Sequence, residues 1–220
     1  MTTDDNVIAV GRAIAELRRG LLVLLGTDDE DYALVLAAEQ ASLGSLAEIC
    51  SWGMDGANGA NRAVLVLTES RARALHIKPT GTGVVLLPVD QNTDVGIVQT
   101  LADGSTDLAQ PLRGPFKRDR RPPLETEIAA VQLAKAARLL PSAVVMPITD
   151  KSRLYAAERK FLTVTTSQIF DFEPSAALSL RQVADAPVPL ADAQDCRLVA
   201  FRPADGGIEH LAIIIGDPDR

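Results

Sequence analysis

Five short, almost unbroken apolar runs govern what this chain can fold into: Leu21–Leu25, Ala33–Ala38, Ala63–Leu67, Val84–Val89 and Ala143–Ile148. Each is too short for a buried helix. None alternates with polar residues as a strand wetted on one face would, so each reads as a strand covered on both faces or nearly so. Such strands need helices packed over them. The expected fold is therefore α+β, a mixed sheet with helices packed on it.

The intervening segments supply those helices. Asp4, Asp5 and Asn6 precede an apolar-periodic stretch containing Ile14 and Leu17, with Arg18 and Arg19 in the last turn and Gly20 after it. Acids at the start, bases at the end and a closing glycine mark a helix. Ser42 or Ser45 can cap the next one, and Ser45-Leu46-Ala47-Glu48 fits a capping box. A short helix is expected over Thr68–His76. Another begins near Asn92 or Thr93 and reaches about Ala102. The clearest carries Ile128, Val131, Leu133, Ala134, Ala137 and Leu140, with Pro141 as its stop. A helix around Leu154–Lys160 and a strand at Leu162–Thr166 follow. The Gly56–Asn61 loop matches neither the Rossmann nor the P-loop fingerprint and reads as a connection.

Past Pro174 the texture changes. Ala177–Val183 reads as a connector to a proline-containing stretch. Cys196–Arg202 and Glu209–Ile215 are strand-like runs flanking Ala204-Asp205-Gly206-Gly207, a hairpin signal. A lone hairpin is marginal in water, so the division expected is a domain over residues 1–174 and the start of a second over residues 175–220.

Charge and composition exclude several function classes. The net charge is −7, which argues against a duplex nucleic-acid binder. Aromatic residues make up 4%, too few for single-strand stacking platforms. The two cysteines, Cys50 and Cys196, build neither a disulfide scaffold nor a four-thiolate zinc site. No run approaches the length of a membrane span, and MTTDDNV lacks the basic and apolar regions of a signal peptide. A cytoplasmic setting is expected.

Two clusters are candidates for chemistry. Between Gln110 and Pro123 lie four prolines and five basic residues: Arg113, Lys117, Arg118, Arg120 and Arg121. In an acidic chain this loop can hold a sugar phosphate or nucleotide phosphate, because arginine forks match phosphate oxygens; a solvated loop is the alternative. Asp28, Asp29, Glu30 and Asp31 form the second cluster, either a remnant metal loop or a solvated acidic turn between strands. His76 and His210 have no second ligand at metal-binding spacing.

Two stretches carry a family resemblance. The tail, from Arg181-Gln182-Val183-Ala184-Asp185-Ala186 through Cys196-Arg197-Leu198-Val199-Ala200-Phe201 to Gly206-Gly207-Ile208-Glu209-His210-Leu211-Ala212, resembles the opening of GTP cyclohydrolase II. The first 170 or so residues resemble the amino-terminal region of fused riboflavin-pathway proteins, where a domain related to 3,4-dihydroxy-2-butanone 4-phosphate synthase precedes the cyclohydrolase. The carriers are Ala13–Gly20, Asp28–Asp31, Leu34–Glu39, Thr126–Ala134 and Leu140–Val145. The resemblance implies the synthase fold, followed by the first hairpin of a cyclohydrolase II domain.

The departures from both families set the functional expectation. In the synthase family an arginine and further acids continue the acidic loop and bind magnesium and the sugar phosphate; here Tyr32 follows Asp31 at once. The family's Gly-His-Thr-Glu element carries a metal-ligating histidine; Pro123-Leu124-Glu125-Thr126-Glu127 has none. The cyclohydrolase zinc is held by a Cys…Cys-x-Cys set downstream of the hairpin, which belongs after Arg220. The resemblance thus implies no catalytic or metal site and no cofactor in this chain, with zinc only in a downstream domain. It also implies a homodimer. The leading expectation is a non-catalytic amino-terminal portion of a GTP cyclohydrolase II-type protein. The alternatives are an inert dimerisation, regulatory or metabolite-binding module acting on a riboflavin-pathway enzyme, and a residual butanone-phosphate synthase.

Overall fold

The computed structural model describes residues 3–53, 62–105, 107–108, 114–148, 156, 158–204 and 206–217. The Gly56–Asn61 loop lies outside them, as do Arg113, Asp205 and, in the Leu154–Lys160 segment, Leu154, Tyr155 and Ala157; Ala156 and Glu158 of that segment are helical. The chain forms two compact units, Arg12–Phe170 and Met1–Gly11 together with Asp171–Arg220.

The apolar runs become a six-stranded mixed sheet. In chain order the strands are β1 (Val23–Gly26), β2 (Tyr32–Ala37), β3 (Val64–Thr68), β4 (Val84–Pro88), β5 (Ser142–Ile148) and β6 (Leu162–Thr165). Their spatial order is β4-β3-β5-β2-β1-β6. All neighbours are antiparallel except β1 and β6, which run parallel with Val23 opposite Leu162.

Helices cover both faces, which explains why the strands are apolar throughout. On one face Leu24, Leu34, Leu36, Leu65, Leu67, Val85, Val144 and Met146 share a core with α2 (Leu43–Ser51), α3 (Glu69–Ala74) and α4 (Val95–Ala102). α5 (Glu125–Ala136) packs against β5, β2, β3 and β1. Full burial of a leucine or isoleucine side chain such as Leu36 or Ile49 contributes about 1.5–3 kcal/mol. α1 (Thr3–Arg18) ends with Arg18 donating from Nε to the Ala137 carbonyl at 2.8 Å, a cation on the last turn of α5. α6 (Thr166–Phe170) also packs on α5.

Three local expectations need correction. The capping box of α2 is Ser42 with Ser45, not Ser45 with Glu48: Ser42 Oγ accepts from the Ser45 amide at 3.1 Å and Ser45 Oγ from the Ser42 amide at 2.9 Å. Asp94, rather than Asn92 or Thr93, caps α4, accepting from the Gly96 amide at 2.6 Å. α5 ends at Ala136, before Leu140 and Pro141, because Arg138 adopts φ 56° and turns the chain.

In the other unit, α7 (Phe172–Leu178) leads into a three-stranded antiparallel sheet of order β7-β8-β9: β7 (Arg181–Pro187), β8 (Cys196–Arg202) and β9 (His210–Ile215). β8 and β9 pair from Cys196 opposite Ile215 to Phe201 opposite His210. β7, part of what reads in sequence as a connector, pairs with β8 and makes this more than a lone hairpin. Cys196 and Val199 are buried, whereas Leu211, Ile213 and Ile215 on β9 are each more than 60% exposed. Among the described residues no helix is long and apolar enough to cross a membrane.

Candidate functional site

The acidic cluster sits in the turn joining β1 to β2. The Thr27 amide donates to the Asp31 carbonyl at 2.9 Å, the Glu30 amide to the Thr27 carbonyl at 3.2 Å, and the Asp31 amide to Thr27 Oγ1 at 3.1 Å. Glu30 takes φ 61°, closing the turn within five residues. Asp28, Asp29, Glu30 and Asp31 all face solvent. Like charges so placed repel one another. Among the described residues no three His, Cys, Asp or Glu side chains form a group able to hold a metal ion.

The start of α5 is built around a buried carboxylate. Glu127 is fully buried and accepts from the Leu124 amide at 2.7 Å, the reaching-back half of a capping box. Leu124 has no polar side chain for the reciprocal half. Arg121 grips the same carboxylate with both terminal nitrogens, Nη1 lying 3.0 Å from Oε2 and Nη2 bonding Oε1. Asp119 holds the other side of Arg121, with Nε to Oδ2 at 3.4 Å. The hydrogen bond to Glu127 raises the Arg121 pKa against the opposing effect of burial, and the charges of Glu127 and Asp119 add to it. Thr166 on α6 donates to Glu125.

The remaining described members of the basic cluster behave differently. The segment from Gly114 to Arg121 runs beside the edge strand β4. The Asp119 amide donates to the Leu86 carbonyl at 2.9 Å in an antiparallel bridge. Arg118 Nη1 donates to the Lys78 carbonyl at 2.8 Å and reaches the Pro79 carbonyl at 3.4 Å, tying this segment to the loop after α3. Between the two lies an open cleft of about 740 Å³, lined by His76, Lys78, Pro115, Phe116, Lys117, Arg118 and Arg120 with the edges of Leu75 and Ile77. A second cavity of about 560 Å³ shares Phe116, Lys117, Arg118 and Arg120 and has a mostly apolar floor that includes Ile97 and Leu101.

The structure therefore brings Lys117, Arg118 and Arg120 together at one cleft and sets Arg121 apart on Glu127. Arg113 lies outside the described residues. Sequence reasoning missed Lys78 and gave His76 no place in a site. His76 follows the end of α3 with φ 58°, its amide on the Arg73 carbonyl at 3.0 Å and the Ile77 amide on the Ala72 carbonyl at 2.8 Å. This Schellman-type closure turns the chain towards the basic segment. The basic cluster was visible in sequence; its partners across the cleft had no local signal.

Cys50 is buried in α2; burial, helped by the charge of Asp90, pushes its thiol up to about 11. Such a thiol is a poor nucleophile at neutral pH. His210 lies on β9 and Cys196 on β8.

Comparison with known proteins bears on both units. No family model matches the chain. The fold is similar to that of a two-domain 3,4-dihydroxy-2-butanone 4-phosphate synthase from A. baumannii, with a TM-score of 0.55 at 15% identity over 94% of this chain and 70% of that one. It is equally similar to a 3,4-dihydroxy-2-butanone 4-phosphate synthase in a cation-free form, with a TM-score of 0.55 at 16% identity over 76% of this chain and 97% of that one. The expected α+β synthase-like fold is thus the observed one. In sequence the chain is 37% identical over 213 residues to a GTP cyclohydrolase-2 from Azospirillum brasilense, covering 96% of this chain and 54% of that protein. It is 27% identical over 213 residues to a GTP cyclohydrolase-2 from Xylella fastidiosa, covering 94% of this chain and 48% of that protein. The chain is thus similar along nearly its whole length to proteins named GTP cyclohydrolase-2, and spans about half the length of these curated relatives.

Proposed function

We propose that this chain is a non-catalytic amino-terminal portion of a GTP cyclohydrolase II-type protein of riboflavin biosynthesis. In that family's reaction GTP is opened to a diaminopyrimidine with release of formate and pyrophosphate. The carrying observation is a combination: similarity to GTP cyclohydrolase-2 over 96% of the chain, on a synthase-like fold whose would-be metal loop is a tight solvated turn. The start of α5 supports the same reading. Where the synthase family has a histidine-bearing element, this chain has Glu127 fixed on Arg121. That carboxylate is engaged by the Arg121 guanidinium and the Leu124 amide in fixing the start of the helix.

The exposed residues Leu211, Ile213 and Ile215 on the edge strand β9 support continuation of this sheet into further protein. In this reading zinc is held only by that further domain, and the whole protein is a homodimer. Translating the reading frame past Arg220 tests the proposal. A Cys…Cys-x-Cys set within about the next hundred residues is the expected result; a stop codon directly after Arg220 contradicts it and favours an independent metabolite-binding or regulatory module.

A further inference from the structure

Among the described residues, Arg19, Arg71, Arg73, Arg121, Arg159, Arg197 and Arg202 each lie against a carboxylate. The cations of the cleft beside β4 do not. Lys78, Lys117, Arg118 and Arg120 converge on one space of about 740 Å³ together with His76. Among the described residues no carboxylate lines that space, and none pairs with these four cations. The one acid in the segment, Asp119, is turned to Arg121, accepting from its amide at 3.1 Å. A chain of net charge −7 thus gathers unneutralised positive charge in one concave place. Mutual repulsion makes that arrangement costly unless an anion relieves it.

The cleft is also partly pre-organised. Arg118 is held by the Lys78 and Pro79 carbonyls, and the Asp119 amide is bridged to Leu86, so the segment bearing the cations is fixed to the sheet edge. Cations held in advance lose less freedom when they bind. Half-buried Phe116, with Pro115, gives the cleft an apolar wall beside the charges. The volume is that of a small-metabolite site.

We infer that this cleft binds a small metabolite bearing a diphosphate or triphosphate group. The phosphates are held by Lys78, Lys117, Arg118 and Arg120, and the body of the molecule lies against Phe116. Four cations match the charge of a diphosphate or triphosphate better than that of a single phosphate. The inference stands apart from the family reading, since it draws on no cyclohydrolase or synthase motif.

The test is calorimetric titration of the full chain at low salt with inorganic pyrophosphate, ADP, inorganic phosphate and ribose 5-phosphate, with amide shifts recorded in parallel. The expected result is one saturable event for pyrophosphate and ADP, with shifts at residues 76–78 and 116–120, and binding at least about tenfold weaker for the two monophosphates. Lys78→Gln with Arg120→Gln, both exposed side chains, is expected to weaken pyrophosphate binding by at least about tenfold while leaving the thermal unfolding midpoint unchanged. Absence of saturable pyrophosphate binding overturns the inference. So does binding that the double variant leaves intact, or monophosphates that bind as tightly as pyrophosphate. Turnover of GTP by the chain would sink the family reading and leave this one standing.

Discussion

Arg121 and Glu127, six residues apart, form the ion pair that fixes the start of α5: the carboxylate is fully buried, and both of its oxygens accept from the one guanidinium. Glu127 also accepts from the Leu124 amide, so a single side chain ends the preceding segment and begins the helix. Removing Arg121 leaves that carboxylate buried without its counter-charge. Breaking one side of a buried pair costs about 3–5 kcal/mol. Arg121→Met is therefore expected to lower stability by an amount near the bottom of that range, since Arg121 keeps some exposure. Urea denaturation should show a lower midpoint at unchanged slope. A midpoint equal to that of the parent chain would mean that the pair contributes nothing.

A second carboxylate makes stability depend on acid. Removal from water acts to raise the Glu69 pKa, but the Gly81, Thr80 and Gly83 amides and the Thr80 hydroxyl all donate to it and hold it below the usual carboxylate value. Gly81 and Gly83 supply two of those amides from φ +83° and +87°, a backbone that side-chain-bearing residues rarely adopt. Because the folded-state pKa is depressed, this stabilisation is fully present above the unfolded value, about 4.3, and is lost as pH falls through the folded value. Glu69→Gln should flatten the fall in stability below about pH 5, measured by thermal unfolding at successive pH values. An unchanged acid limb would refute the assignment.

Cys50 gives a chemical check on the core. With its thiol pushed up to about 11 and its side chain buried, a thiol-specific reagent at pH 8 should modify it far more slowly in the native chain than in urea. Mass spectrometry of the labelled peptides separates it from Cys196. Equal rates in the two states would show that α2 is not packed on the sheet as described.

The sheet was legible because its strands are nearly unbroken apolar runs, a pattern that burial on both faces imposes. β7 was not legible. All seven of its residues, Arg181–Pro187, are exposed, so no hydrophobic pattern marks it; backbone pairing with β8 defines it, from Arg181 opposite Arg202. The end of α5 was misplaced for a related reason. Its apolar rhythm runs on to Leu140, but the chain turns at Arg138, and Arg18 from a distant helix takes the Ala137 carbonyl. In the candidate site, Lys117, Arg118, Arg120 and Arg121 look alike in sequence. Only tertiary structure separates Arg121, which faces Glu127, from Arg118, whose partner carbonyl on Lys78 is 40 residues away.

Formate release is the most direct test of the central claim. The purified 220-residue chain, shown to be folded, would be incubated with GTP and zinc, and separately with ribulose 5-phosphate and magnesium, and formate would be quantified against buffer alone. The account predicts no release above buffer from either substrate. Formate produced from either one, at a rate that rises with the added metal ion and with chain concentration, would contradict it.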